Sequence, residues 1–192
     1  KFSSMSKSFD YNQIPEFYSM WVGFEDDMTN TGLLTYRSIR YWANLDSSPE
    51  KYNSVRNNTI DYFIDLTLPQ PDQVKYSIVE FDIAMVLYQI FKDKYVCTNV
   101  TKNIWYEFKN HKWQECDAGT SLRLAISQDM YQIYSKKTQE SLQKMVDSED
   151  KDTQKKYQIR TATLTDIALN LKKTTDKNNI MREAREIFKD DQ

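Results

Sequence analysis

Glycine and proline are scarce in this sequence. Only three glycines and four prolines occur in 192 residues, so the chain has few places for tight turns, and long helices are favoured. Neither GxGxxG nor GxxxxGKS/T occurs, which excludes the usual glycine-rich cradles for nucleotide phosphates. Because 40% of the residues are hydrophobic, the chain still has enough apolar side chains to form a core.

Soft metal ligands are also few. The two cysteines, Cys97 and Cys116, and the single histidine, His111, are not spaced as CxxC or HxxxH pairs. We therefore predict no metal site and no cofactor in this stretch. Two cysteines do not make a disulfide framework, and we expect free thiols in a reducing, intracellular compartment.

Long apolar runs are missing. No run approaches the roughly 18 residues of a membrane span, and the N-terminal sequence KFSSMSKSFDYN lacks the apolar region of a signal peptide. No membrane partner is expected. The first residue is lysine and not methionine, and we expect the sequence to be cut from a longer chain.

Acidic and basic residues are present in nearly equal numbers, 28 and 26. The formal net charge is -2 and the pI about 5.6, which excludes a general affinity for polyanions, so any nucleic-acid contact must come from a local patch. Acidic clusters at Glu25–Asp27 and Glu149–Asp150 have the chemistry to bind Mg²⁺, as a nuclease would, but they lie in polar runs that are typical of solvated loops. No motif predicts an enzyme.

Helical periodicity occurs on both sides of a stretch that contains two prolines. That stretch, residues 67–76, predicts a linker between a helical N-terminal module at 1–66 and a second domain at 77–192. From Thr120 onward, further apolar stripes predict a C-terminal helical bundle. The second domain should begin with a helix whose apolar face is formed by Ile83, Val86, Leu87, Ile90 and Phe91.

After that helix, the pattern of apolar residues changes from helical to strand-like. Tyr95–Asn99, Ile104–Asn110 and Lys112–Cys116 are rich in β-branched and aromatic residues and are separated by short polar segments. Asn110-His111 fits a tight turn, because asparagine tolerates positive φ. We predict a three-stranded antiparallel meander and an α+β fold class that is mainly α. A helix followed by a small sheet is also compatible with a winged-helix-like unit.

The meander carries the candidate functional residues. Aromatic faces that stack on bases and cations that meet phosphates are what single-stranded nucleic acid needs. A competing interpretation, which composition favours, is that the sheet buries its aromatic residues against the 83–91 helix and leaves its lysines in water. The candidate nucleic-acid-binding residues are Lys102, Trp105, Lys109, His111 and Lys112.

Three segments in order carry a family resemblance: FDIAMVLYQIFKDKYVC, NIWYEFKNHKWQE and DAGTSLRLAIS. Together they resemble the region ahead of the ATPase in poxvirus-type primase-helicases, the replication proteins of nucleocytoplasmic large DNA viruses. The match runs from about Asp82 to Ser127, with a looser extension to Phe188. Residues 9–65 resemble the small helical primase C-terminal module that often precedes this region.

The resemblance implies a position within a larger viral machine. Family members have a primase domain upstream and a hexameric AAA+ helicase of superfamily three downstream. ATP and Mg²⁺ are therefore implied for the parent chain and not for this stretch. The expected partners are DNA, through the parent assembly, and further copies of the chain, as a hexamer, at a replication site in the host cytoplasm.

Two functions are expected from these observations. The first is a non-catalytic middle segment of a viral DNA replication primase-helicase, which supports hexamer assembly and guides DNA to the ATPase ring. The alternative is a protein-interaction module that docks a polymerase or another replication factor.

Overall fold

The computed structural model describes residues 42–43, 45–69, 77–110 and 112–189. The chain divides into two units, Lys1–Trp42 and Ala43–Gln192, and the helices and strands given below belong to the second. Most of the predicted N-terminal module, and His111, lie outside the described residues. The α+β, mainly helical class predicted from the sequence is confirmed.

Helix α1 spans Pro49–Leu66 and packs on helix α2, which spans Glu80–Phe91. Ser48 caps α1, because its side chain accepts a hydrogen bond from the backbone N–H of Lys51 at 3.3 Å. The apolar face predicted for α2 is buried along its length. An Arg56 Nη2 hydrogen bond to the carbonyl oxygen of Ile90, 2.8 Å long, joins the two helices.

Three strands follow α2 and form the predicted antiparallel meander. They are β1 at Tyr95–Asn99, β2 at Ile104–Lys109 and β3 at Lys112–Cys116, in the order β1-β2-β3. In the register of the sheet, Cys97 pairs with Trp105 and Trp105 with Cys116. Since side chains alternate across a strand, these three residues share one face.

A short 3-10 turn, Asp117–Gly119, leads from the sheet into the C-terminal helices. These are α3 at Thr120–Ala125, a π-helical turn at Ile126–Met130, α4 at Tyr131–Asp147, α5 at Lys151–Asn170 and α6 at Thr174–Ile187. Helix α3, the π-helical turn and α4 form one continuous helical segment. Helices α4 and α5 pack as an antiparallel pair, while α6 packs on α2.

One hydrophobic core joins the helices and the sheet of the unit 43–192. Phe188, which follows α6, is hydrogen-bonded to β1: its carbonyl oxygen accepts a 2.9 Å hydrogen bond from the backbone N–H of Cys97. Burial of large apolar side chains from distant parts of the chain is what stabilises such a core. The largest fully buried side chains are Trp105, Tyr134, Ile64, Leu87, Leu122, Ile126, Met130, Leu164, Ile167, Leu171, Ile180 and Val86.

The beginning of the predicted linker belongs to this core. Thr67 and Leu68 are buried, and the Thr67 hydroxyl donates to the carbonyl of Ile64 at 2.7 Å. Ile64 itself is fully buried with α2. Helix α1, which the sequence assigned to the N-terminal module, therefore shares its core with α2, and residues 70–76 lie outside the described part of the chain.

Candidate nucleic-acid interface

The β2–β3 hairpin is the candidate region, and its turn is two residues long. Asn110 adopts a positive φ of 53°, as the predicted tight turn requires of a residue that tolerates the left-handed conformation. The strands therefore pair up to the turn, with Lys109 opposite Lys112 and Phe108 opposite Trp113. Four side chains of known register thus flank the turn.

Trp105 is a core residue, which corrects its assignment as a base-stacking residue. Its side chain is 0% exposed, its ring packs on Phe188 with centroids 5.6 Å apart, and its Nε1–H donates to Asn103 Oδ1 at 2.8 Å. A buried indole offers no free face to a base. The composition-based alternative, an aromatic core, holds for this residue.

Lys102 lies at the wrong end of the sheet to join the other lysines. It is in the β1–β2 turn, where its backbone N–H donates to Asn99 Oδ1 at 2.8 Å. The length of β2, six residues, separates this turn from the β2–β3 turn by about 17 Å, at roughly 3.4 Å for each step between residues. Lys109 and Lys112 are brought together at the other end, so the five predicted residues do not form one patch.

Two exposed rings next to the hairpin turn were not among the residues predicted from the sequence. Phe108 is 42% exposed and Trp113 is 36% exposed, and their ring centroids are 5.3 Å apart with planes at 60°. Alternation along β2 places Phe108 on the face opposite Trp105. This alternation was visible in the sequence, but both faces of β2 contain aromatic residues, so the pattern did not show which face would be buried.

Glu107 organises the polar side of the hairpin that faces α3. It forms an ion pair with Lys94 Nζ at 3.1 Å and accepts hydrogen bonds from the Ser121 hydroxyl at 2.9 Å and the Tyr95 hydroxyl at 3.3 Å. Burial alone would raise the pKa of Glu107, but the hydrogen bonds from Lys94 and Ser121 outweigh it and hold the pKa below its ordinary value. The carboxylate is therefore fully engaged with protein donors.

A groove of about 480 Å³ lies beside this network. Its lining includes Glu107, Lys109, Gln114, Ser121 and Leu124. The full lining of the groove combines two carboxylates, one lysine, one half-buried free thiol and several neutral polar groups.

The two cysteines have different surroundings. Cys97 is buried in the core, and this burial raises the pKa of its thiol. Cys116 is half-buried, and its Sγ lies 3.1 Å from the Ser121 hydroxyl.

Within the described ranges, no group of three or more His, Cys, Asp or Glu side chains is placed to hold a metal ion. Nor does any helix there combine the length and apolar character of a membrane span.

The chain is similar to a viral protein named “Putative helicase L207/L206”, from Acanthamoeba polyphaga mimivirus. The two sequences are 28% identical over 156 residues, which cover 81% of this chain and 15% of the mimivirus protein. The chain therefore spans a small part of the length of that relative. No family model matches the chain.

Proposed function

We propose, from this similarity to part of a viral helicase-related protein, that the chain is a non-catalytic middle segment of a viral DNA replication primase-helicase. In this role it supports assembly of the parent hexamer and guides DNA toward the ATPase ring. ATP and Mg²⁺ act in the parent chain, outside this segment, and the setting is a viral replication site in the host cytoplasm.

The observation that supports the proposal is the share of each protein that the alignment with the mimivirus protein covers. Most of this chain aligns, yet it accounts for only 15% of a much longer protein named as a helicase. The sequence has no glycine-rich phosphate loop of either usual kind, so the proposal assigns ATP binding to other parts of the parent chain. A role in positioning and assembly fits a segment of this kind.

Self-association and DNA binding of the 192-residue chain test the proposal. Sedimentation over a range of protein concentrations is expected to show assemblies larger than a monomer. Binding to single-stranded DNA is expected to weaken as salt rises, because phosphate contacts release counterions. A chain that stays monomeric at high concentration and shows no salt-dependent DNA binding would contradict the proposal.

An exposed apolar stripe on α1 favours the second candidate, a module that docks a polymerase or another replication factor. Val55, Tyr62 and Leu66 are 62%, 61% and 45% exposed. Their spacing of seven and four residues puts them on one side of the helix, away from the buried Ile60 and Ile64. A helix face of this kind suits a partner that binds through apolar anchors.

Two sets of substitutions separate the candidates. Alanine at Lys102, Lys109 and Lys112 together is expected to weaken DNA binding and to flatten its salt dependence if the segment guides DNA. If the chain only docks a protein, the same variant keeps its DNA affinity, whereas Tyr62→Ser and Leu66→Ser abolish binding of the replication factor. Thermal unfolding of each variant verifies that the core is intact.

A further inference from the structure

The end of the β2–β3 hairpin combines two exposed rings and two cations in four residues. We call this region the hairpin tip and define it as Phe108, Lys109, Lys112 and Trp113. The rings form one cross-strand pair and the lysines form the next, so the two pairs are adjacent in the ladder. Exposure rises along the outer face of the sheet, from the buried Val96 through the half-buried Tyr106 to the rings of the tip.

We propose that the hairpin tip is a contact site for single-stranded DNA. Bases stack on Phe108 and Trp113, and Lys109 and Lys112 contact the phosphates. This inference rests on the proposed function, because it assigns the DNA contact of the segment to particular residues. It replaces Trp105, which is buried, and Lys102, which lies at the other end of the sheet.

The two lysines of the hairpin tip favour binding of a phosphate on electrostatic grounds. Lys109 and Lys112 lie directly opposite each other across the two strands, and like charges in that position destabilise a hairpin. Within the described residues no carboxylate forms an ion pair with either of them. Lys94 differs, because Glu107 already neutralises it. A phosphate at the tip would relieve the repulsion between these two lysines.

The ring pair argues for a single strand and not a duplex. Aromatic side chains bind nucleic acid by stacking on the faces of bases, and those faces are accessible where bases are not already stacked on one another. A protein partner is a poorer fit to the same tip, because lysine is depleted in protein–protein interfaces while Arg and aromatic residues are enriched. The combination of rings with lysines matches the needs of an unpaired strand.

Alternation of side chains sets the path of the strand. The rings project from one face of the hairpin and the lysines from the other, so the bound strand crosses the tip with its bases on the ring side. Glu115 is exposed on the ring side, two residues from Trp113 and opposite Tyr106. Its carboxylate repels phosphates, and it therefore disfavours a path that runs along the outer face of the sheet.

Titration of the 192-residue chain into fluorescein-labelled oligothymidylate tests the site. Phe108→Ala and Trp113→Ala are each expected to weaken binding by about five-fold or more, because stacking contributes about 1–3 kcal/mol per base. Trp113→Phe should restore most of the loss. Lys109→Ala combined with Lys112→Ala should lower the slope of log affinity against log salt by about 0.7 for each phosphate contact removed.

Matched controls make the test specific. Lys102→Ala removes a lysine from the β1–β2 turn, at the other end of the sheet, and should leave both affinity and salt slope unchanged. Glu115→Gln removes the repelling charge and should strengthen binding. A duplex of the same sequence should bind more weakly than the single strand, and loss of the rings should not affect its binding. Unfolding curves of the ring variants should match wild type, since both rings are partly exposed.

The results distinguish this inference from the proposed function. If the wild-type chain binds the oligonucleotide and the ring variants bind equally well, the tip assignment is overturned while a DNA-guiding role stands. If Lys102→Ala has the same effect as the tip lysines, the specific site is overturned in favour of diffuse attraction. Failure of the chain both to bind DNA and to assemble overturns the inference and the proposed function together.

Discussion

Gly119 lies directly against the ring of Trp105. A Cβ at position 119 would be 3.2 Å from two ring atoms of Trp105 and 2.9 Å from the Met181 methyl carbon. The backbone of Gly119 is also in the left-handed region, with φ at 68°. The residue at position 119, which ends the 3-10 turn, must therefore be small and must tolerate positive φ, and glycine meets both requirements.

Gly119→Ala is expected to lower the free energy of unfolding by about 2 kcal/mol. Both the added methyl group, which overpacks the core, and the left-handed backbone contribute. Chemical denaturation with urea measures the change. Ala118→Gly is the matched control, because Ala118 is exposed and also has positive φ, and it should stay within about 1 kcal/mol of wild type. Equal losses for both variants would contradict the packing argument.

Trp105→Phe should separate stability from binding. The smaller ring leaves a cavity and removes the hydrogen bond to Asn103, so the free energy of unfolding should fall by about 1–3 kcal/mol. The DNA affinity of the folded variant should not change, because the indole is buried. Urea denaturation and oligonucleotide titration at a temperature where the variant is folded provide the two measurements. A loss of DNA affinity without a loss of stability would show that Trp105 contacts DNA, which contradicts the prediction.

Ile64→Ala tests whether α1 unfolds together with the rest of the unit 43–192. Ile64 is fully buried in the core that α1 shares with α2, and its truncation should cost about 2–5 kcal/mol. Val55→Ala on the exposed side of the same helix is the control, with an expected change within about 0.5 kcal/mol. Calorimetry should show one shifted transition for Ile64→Ala. A second, unshifted transition would mean that α1 unfolds independently.

The Lys94–Glu107 pair predicts a modest loss of stability in acid. The pKa of Glu107 is lowered from 4.5 on folding, so the stabilisation is present above that value and is lost as pH falls through the folded-state pKa. Although partial burial of Lys94 lowers its pKa, the contact with Glu107 raises it above its ordinary value overall. The contribution of Lys94 is therefore present below about pH 10.5 and is lost in more alkaline solution.

Unfolding free energies measured between about pH 3 and pH 7 check this prediction. Since Lys94 is half-exposed, the loss assigned to the pair should be below about 1 kcal/mol. Glu107→Gln should reduce the acid dependence. Lys94→Met should raise the pKa of Glu107, because it removes a hydrogen-bond donor while burial persists. An acid dependence identical in all three proteins would show that the pair contributes nothing.

Much of the fold follows from local sequence pattern, whereas the site does not. The apolar stripe of α2 and the β-rich segments around Asn110 each carry their own periodicity, so the helix and the meander were predictable. Which face of β2 is buried depends on Phe188 and Gly119, which pack on Trp105 from outside the hairpin. Because both faces of β2 carry aromatic residues, alternation alone could not distinguish the buried ring of Trp105 from the exposed ring of Phe108.

The π-helical turn at Ile126–Met130 has a consequence for the alignment of related sequences. Leu122 and Tyr134, both fully buried, are twelve residues apart, and a regular α-helix would separate their directions by about 120°. One extra residue accommodated in the π turn reduces this difference to about 20°. A relative whose helix is regular here should be one residue shorter at this point, so an alignment without that gap would pair core positions with surface positions.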